Sequence, residues 1–337
     1  MKTVNVDSLI QKIEHCVETH KLATGSYARW IWDNGKGRNI GQNEYGCADA
    51  ANILYTIGKF PKDPDERAKW VAVLQSMQNP ETGMFSEPTH HTIHTTAHCT
   101  AALELFDASP LYKCKYLKKC LTKEGLYDFL ENEVNWQNPW GESHKGAGIL
   151  PALVNTGEVT AEWLDWYFDW MWKNSDPETG FFYYAKNGEP RKNKLHTYLA
   201  GGFHYMFNHE YERRPLRYPE RIIDTCIYII DNGIGNIELG NLLHNCGFIE
   251  IDVVYTLTRA MRYTPYRFYE AKERLEYFAE KFIDFMYSLD YEHDEFFNDL
   301  HALFGSVCCL AELQTALPGK IKTTVPLKIV LDRRPFI

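Results

Sequence analysis

Six polar residues, Asp49, His94, His144, His196, Asp252 and His301, each head a short run of small and apolar residues, at steps of 45, 50, 52, 56 and 49. Imidazoles and carboxylates recurring at one point of a repeat point first to acid–base chemistry. An Asp beside a His raises the imidazole pKa and fixes its tautomer, as proton transfer near neutral pH requires. Such side chains are costly to desolvate unless they serve a ligand or one another. His94, Asp252 and His301 are therefore the candidate catalytic groups, with Asp49, His144 and His196 positioning substrate. In a ring of six units, positions three apart face each other: Asp49 opposite His196, His94 opposite Asp252, His144 opposite His301. Asp252 and His301 become neighbours, as do His301 and Asp49. Each residue also has a plainer reading. Asp is a preferred helix N-cap, and a single His at a helix start is commonly a hydrogen-bonded structural group.

The flanking residues add candidates for substrate binding. Glu44, in Asn43-Glu44-Tyr45-Gly46, and Glu142, in Trp140-Gly-Glu142-Ser-His144, are further carboxylates that could act as acid, base or simple loop charges. Trp140 offers an aromatic face suited to stacking on a sugar ring, as do Trp30, Trp32 and Trp136, although core packing serves these indoles equally well. Arg259, like Arg29, could bind a substrate anion. The densest cluster is His90, His91, His94 and His98. His94 and His98 are four apart on one helical face and are the place for a metal ion if one binds. No Glu lies between them in an H-E-x-x-H pattern, so the expectation is no cofactor.

Long amphipathic segments separate these heads and must position them: Val6–Leu22, Asp65–Met77, Gly125–Val134, Thr160–Lys173, Tyr218–Ile230 and Tyr266–Leu289. The runs after the heads are rich in Gly, Ala, Ser and Thr, which let helices approach closely. Most units stop at Pro or Gly, as at Pro61, Pro110, Gly157, Pro215, Pro265 and Pro318. Long helices alternating with short ones, at a period near fifty, predict an all-α chain. The expected architecture is an (α/α)6 toroid (barrel) of six helical hairpins, with short, small-residue inner helices, in a single domain over 1–337. A second echo agrees: Pro80-Glu-Thr-Gly-Met-Phe85 and Pro177-Glu-Thr-Gly-Phe-Phe182 both read as structural turns that re-enter the core.

Gln78-Asn-Pro-Glu-Thr-Gly-Met-Phe followed by His94-Thr-Thr-Ala-His-Cys-Thr-Ala-Ala-Leu resembles the repeat of the terpenoid cyclase and protein prenyltransferase superfamily. There, a turn containing Gln and Gly precedes a Thr/Ala-rich inner helix. The resemblance implies an α/α toroid and carries an isoprenoid-handling cyclase or transferase as an alternative activity. Glu250-Ile-Asp252 lacks the last Asp pair of the cyclases' Asp-x-Asp-Asp, and Cys47-Ala-Asp49 reverses the transferases' Asp-x-Cys. Six-hairpin carbohydrate-active enzymes share the architecture.

Bulk properties narrow the classes further. At 45% hydrophobic and 14% aromatic residues the chain can bury a large core, and a net charge of −9 argues against a nucleic-acid partner. No run approaches the roughly 20 apolar residues of a membrane span, and the N-terminus has no signal-peptide stretch. Nine cysteines, an odd number without a C-x-x-C spacing, fit a reduced, cytoplasmic protein. The apolar end of Leu331-Asp-Arg-Arg-Pro-Phe-Ile337 calls for docking on the body or on a second copy, a homo-oligomer. The leading expectation is an intracellular enzyme using His/Asp acid–base chemistry on a polar, carbohydrate-like small molecule or oligosaccharide, by hydrolysis, elimination or epimerisation. A non-catalytic toroid that binds a ligand or a protein is the remaining alternative.

Overall fold

The computed structural model describes residues 1–182, 194–234, 248–334 and 336. It is predominantly helical, with few strands. Amphipathic helices alternate along the chain with helices buried on nearly every side. The first kind comprises α1 (Asp7–Thr19), α3 (Pro64–Ser76), the short α5 (Lys123–Asp128), α8 (Ala161–Lys173), α10 (Pro219–Asp231) and α12 (Phe268–Ser288). The second comprises α2 (Glu44–Thr56), α4 (Thr92–Leu105), α6 (Pro139–Gly146) with α7 (Ile149–Asn155), α9 (Leu195–Tyr211), α11 (Phe248–Ala260) and α14 (Leu300–Ala316). The four-residue α13 (Glu295–Asn298) leads into α14.

The buried helices pack in a closed order. α2 lies on α4, α4 on α6 and α7, α6 on α9, α9 on α11, α11 on α14, and α14 returns to α2. The amphipathic helices back them: α1 and α3 on α2, α10 on α9 and α11, α12 on α14. Small residues permit this closeness. A Cβ on Gly201 of α9 would stand 2.6 Å from the Pro139 carbonyl oxygen of α6, and one on Gly146 only 2.1 Å from the Tyr205 hydroxyl.

The third buried unit departs from the simple pattern. Its helix breaks between Gly146 and Ile149, where Gly146 and Gly148 weaken the helix and Pro151 supplies no N–H. His144 thus stands near the end of α6 rather than opening a helix.

The echoed turns are the same structure built twice. Gly83 donates to the Asn79 carbonyl and Gly180 to the Asp176 carbonyl, both at 2.8 Å, with φ of +76° and +80°. A Cβ on Gly83 would meet the Lys113 carbonyl at 1.8 Å, so glycine is required there by space as well as by φ. Buried Gln78 ties the first turn down, its Nε2 donating to Gly83 and Tyr112 and its Oε1 accepting from Leu111 and Tyr112. The structural reading of these turns holds.

Two short strand pairs complete the chain. β1 (Val4–Asn5) runs parallel to β4 (Ile321–Lys322), and β2 (Lys21–Ala23) pairs antiparallel with β3 (Ser26–Tyr27). Among the described residues no helix is long and apolar enough to cross a membrane. The segment after β4 docks on the body of its own chain: Arg334 is buried, and Phe336 packs against His94 and Phe207. Pro335 and Ile337 of the expected apolar tail lie outside the described residues.

Candidate functional site

None of the heads on the described helix starts is spent as a cap. Asn43 caps α2, accepting from the Tyr45 and Gly46 amides, which leaves Asp49 free a turn further in. His91 caps α4 through Nδ1, leaving His94 free. Asp299 caps α14 by accepting the His301 amide, and Arg29 holds that carboxylate with two bonds of 2.8 and 2.9 Å. A bidentate guanidinium clamp of this kind fixes the direction in which α14 presents His301.

Asp49 is fully buried and shared by two imidazoles. Its Oδ1 lies 2.7 Å from Nε2 of His98 and its Oδ2 3.0 Å from Nδ1 of His301. Burial works against the charge, but the two rings outweigh it and hold the carboxyl well below its usual range. Arg334 donates to Nδ1 of His98 at 3.0 Å and to Asn52 Oδ1 at 2.6 Å. A guanidinium has no acceptor, so Nδ1 of His98 carries no proton and its Nε2–H is given to Asp49. Burial, with Arg334 beside it, drives His98 down to about 3 against the pull of Asp49. His98 is therefore a neutral ring of fixed tautomer. His301, oriented by Asp49 through Nδ1, keeps Nε2 for other partners.

His301 lines a cavity of about 140 Å³ together with His90, His94, Trp140, His144, Phe203, His204, Phe248 and Asp252. Asp252 is fully buried, and neither of its oxygens has a hydrogen-bond partner among the described residues. Desolvation, with Glu250 nearby, pushes its pKa well above the ordinary aspartate value and so favours the protonated form. His94, His144 and His204 converge on another wall. Their rings are 4.2 Å apart for His94–His144 and 5.3 Å for His144–His204. Burial pushes all three down, His204 to about 4, and the neighbouring rings add to the effect in each. Nδ1 of His204 donates to the Ala200 carbonyl at 3.0 Å, and Tyr45 Oη meets Nδ1 of His94.

The expected site thus assembles in part. His94, Asp252, His301, His144 and Trp140 share the cavity, and Asp49 stands directly behind His301. The expected neighbours His301 and Asp49 meet, whereas Asp49 does not face His196. His196 is partly exposed and lines no part of the cavity; His204, two turns along α9, is there instead. A helix turning every 3.6 residues brings position 204 near the face of 196 but deeper in. Arg259 lies about 10 Å further along α11 than Asp252 and is buried against Glu312 and Asp332, not beside the cavity. Glu142 accepts the Asn135 amide and pairs with Lys145, and Glu44 sits in the first turn of α2; neither lines the cavity. Trp30 and Trp136 are core residues, the latter stacked on Tyr205 at 5.5 Å. The His94–His98 metal pairing also fails, because both nitrogens of His98 are already engaged. A larger groove of about 460 Å³ runs along α10 past Asp224, Asp231 and Arg267 and contains none of the six heads.

Residues missed at the sequence level are His204 and Phe248 on the cavity wall and Tyr45, Arg334 and Phe336 behind it. His204 carried a signal, since it lies in the same small-residue run as His196; the apolar chain end signalled docking, but not that it would bring Arg334 and Phe336 behind this cavity. Compared with known proteins, the chain matches no protein family, no curated protein and no solved structure.

Proposed function

We propose that the chain is an (α/α)6 toroid and a proton-transfer enzyme for a small, polar, carbohydrate-like molecule held in its central cavity. The closed packing order of the buried helices supports the toroid. The observation that carries the chemistry is the Asp49-oriented ring of His301 sharing one cavity with the carboxyl of Asp252, which has no hydrogen-bond partner among the described residues. With Nδ1–H given to Asp49, His301 takes a proton at Nε2, and the uncharged Asp252 gives one up. Two such groups suit removal of a proton beside a carbonyl and its return elsewhere, as in epimerisation, isomerisation or β-elimination. Glycoside hydrolysis normally needs two flanking carboxyls, and Asp252 is the one carboxyl lining the cavity among the described residues. Six titratable side chains against two phenyl rings and one indole favour a polar substrate over an isoprenoid chain. A volume of about 140 Å³ favours one small hydroxy-carbonyl compound over an oligosaccharide, because pockets for drug-sized ligands start at roughly 300 Å³.

The test is incubation with aldoses, ketoses and uronic acids in D2O, following C–H signals by proton NMR. At least one compound should exchange or rearrange. His301→Gln and Asp252→Asn should each slow that reaction by about 100-fold or more while keeping the wild-type circular dichroism. Equal rates in wild type and both variants would refute the assignment, and a panel with no exchange at all would count against it.

A further inference from the structure

We propose that His94, His144 and His204 form a binding site for a divalent transition-metal ion of the zinc class, with its open coordination position toward the cavity. The three rings come from α4, α6 and α9, and α6 packs against both other helices. One nitrogen from each ring lies within 4.8 Å of the other two. Ligand nitrogens about 2.0–2.1 Å from a tetrahedral zinc ion stand closer than that to one another, so a small inward rotation of the rings completes the set.

Two of the three rings have an outer partner of the kind a metal site needs. The Ala200 carbonyl takes the Nδ1 proton of His204, which leaves Nε2 with its lone pair free. Tyr45 Oη pairs with Nδ1 of His94, so Nε2 is the nitrogen of that ring open to an ion. Partners on the far nitrogen fix the tautomer and raise ligand basicity. Among the described residues no carboxylate hydrogen-bonds any of the three rings, and the rings do not hydrogen-bond one another. Converging lone pairs in a buried site repel until a cation gathers them.

The neighbouring triad Asp49, His98 and His301 is equally tight and makes the contrast. Its carboxylate is already shared by two rings, and the Arg334 guanidinium donates to His98. That triad is a closed network with a cation in place, whereas the three-histidine set is open. All-nitrogen ligands select Zn²⁺, Co²⁺, Ni²⁺ or Cu²⁺ over Mg²⁺ and Ca²⁺. Asp252, whose oxygens have no hydrogen-bond partner among the described residues, lines the same cavity. An ion there would polarise a substrate oxygen facing His301. The site stands independently of the proposed reaction, because metal binding is read without turnover.

The experiment uses full-length protein stripped with a chelator and titrated with Co²⁺, then Zn²⁺. Wild type should take up one Co²⁺ per chain, with the intense visible absorption of a four-coordinate ion, and Zn²⁺ should displace it. His144→Ala and His204→Ala should each weaken binding by about 100-fold, and Tyr45→Phe by about 10-fold. His98→Gln should keep the full equivalent. A wild-type chain without that absorption overturns the site, whatever the variants do. So does a spectrum of six-coordinate cobalt, or binding that survives both histidine substitutions but is lost in His98→Gln.

Discussion

Asp49 and Arg334 set the chemical state of every side chain that touches them. Asp49 is fully buried and accepts a hydrogen bond from each of two imidazoles, and a hydrogen bond to a charged group contributes about 1.5–3 kcal/mol. Asp49→Asn should lose about 2 kcal/mol in urea denaturation at pH 7. Because burial is outweighed by His301 and His98, the folded carboxyl titrates below its ordinary 3.8. Its stabilisation is therefore complete above that value and is lost only as the pH falls beneath it. The gap between wild type and variant should stay level from pH 7 to 5; a gap already closing at pH 5 would mean that Asp49 is not the charged partner. His209 shows the other outcome for a buried ring. Its Nδ1 donates to the Arg214 carbonyl at 3.2 Å, Nε2 has no partner among the described residues, and Phe182 stacks on it at 5.2 Å. It is neutral, and nothing about it is poised for catalysis.

The helices act through how closely they approach. α9 carries His204 toward α6, which carries His144, and Gly201 is the point where the two backbones meet. Gly201→Ala puts a methyl 2.6 Å from the Pro139 carbonyl oxygen, so α6 must shift. Overpacking of this kind costs about 1–3 kcal/mol. The variant should melt earlier and bind Co²⁺ more weakly, since the rings of His144 and His204 move apart together. Unchanged melting would show that α6 has slack at this contact. Gly202 makes the same argument against Phe181, so the pair Gly201-Gly202 is a packing device rather than a flexible hinge.

The protein as a whole should carry a marked sensitivity to acid. Burial drives His98 down to about 3 and His209 to about 4, against an ordinary value of 6.5. Below 6.5 the unfolded chain binds protons that the folded chain refuses, so stability drops as the pH falls. The loss is about 1.4 kcal/mol per pH unit for each such ring, or about 2 kcal/mol each by pH 5. Buried Glu312 works in the opposite direction, since desolvation raises it to about 7 despite Arg259. A difference between variants removes that offset. His209→Gln should lose about 2 kcal/mol less than wild type between pH 6.5 and 5, measured by urea midpoints. Parallel losses would show that His209 is protonated in the folded protein.

Periodicity settles what repeats, and repetition settled much of this chain. The alternation of amphipathic and small-residue helices, the two Pro-Glu-Thr-Gly turns and the deep placement of Asp49, His94, Asp252 and His301 were all legible as spacing, because burying one face of each helix leaves little choice of partner. Spacing could not say how far into the interior each head reaches. Asn43 took the cap that Asp49 might have been, the glycines and Pro151 broke the third unit, and His204 stands where His196 was expected. Nor could it reveal partners that meet only through the fold: Arg334 on His98, Arg29 on Asp299, Arg259 drawn away to Glu312. Hydrophobic pattern is local and reads off the chain, whereas the pairing of buried polar groups is decided by residues up to 282 positions apart, which only the folded chain brings within bonding distance.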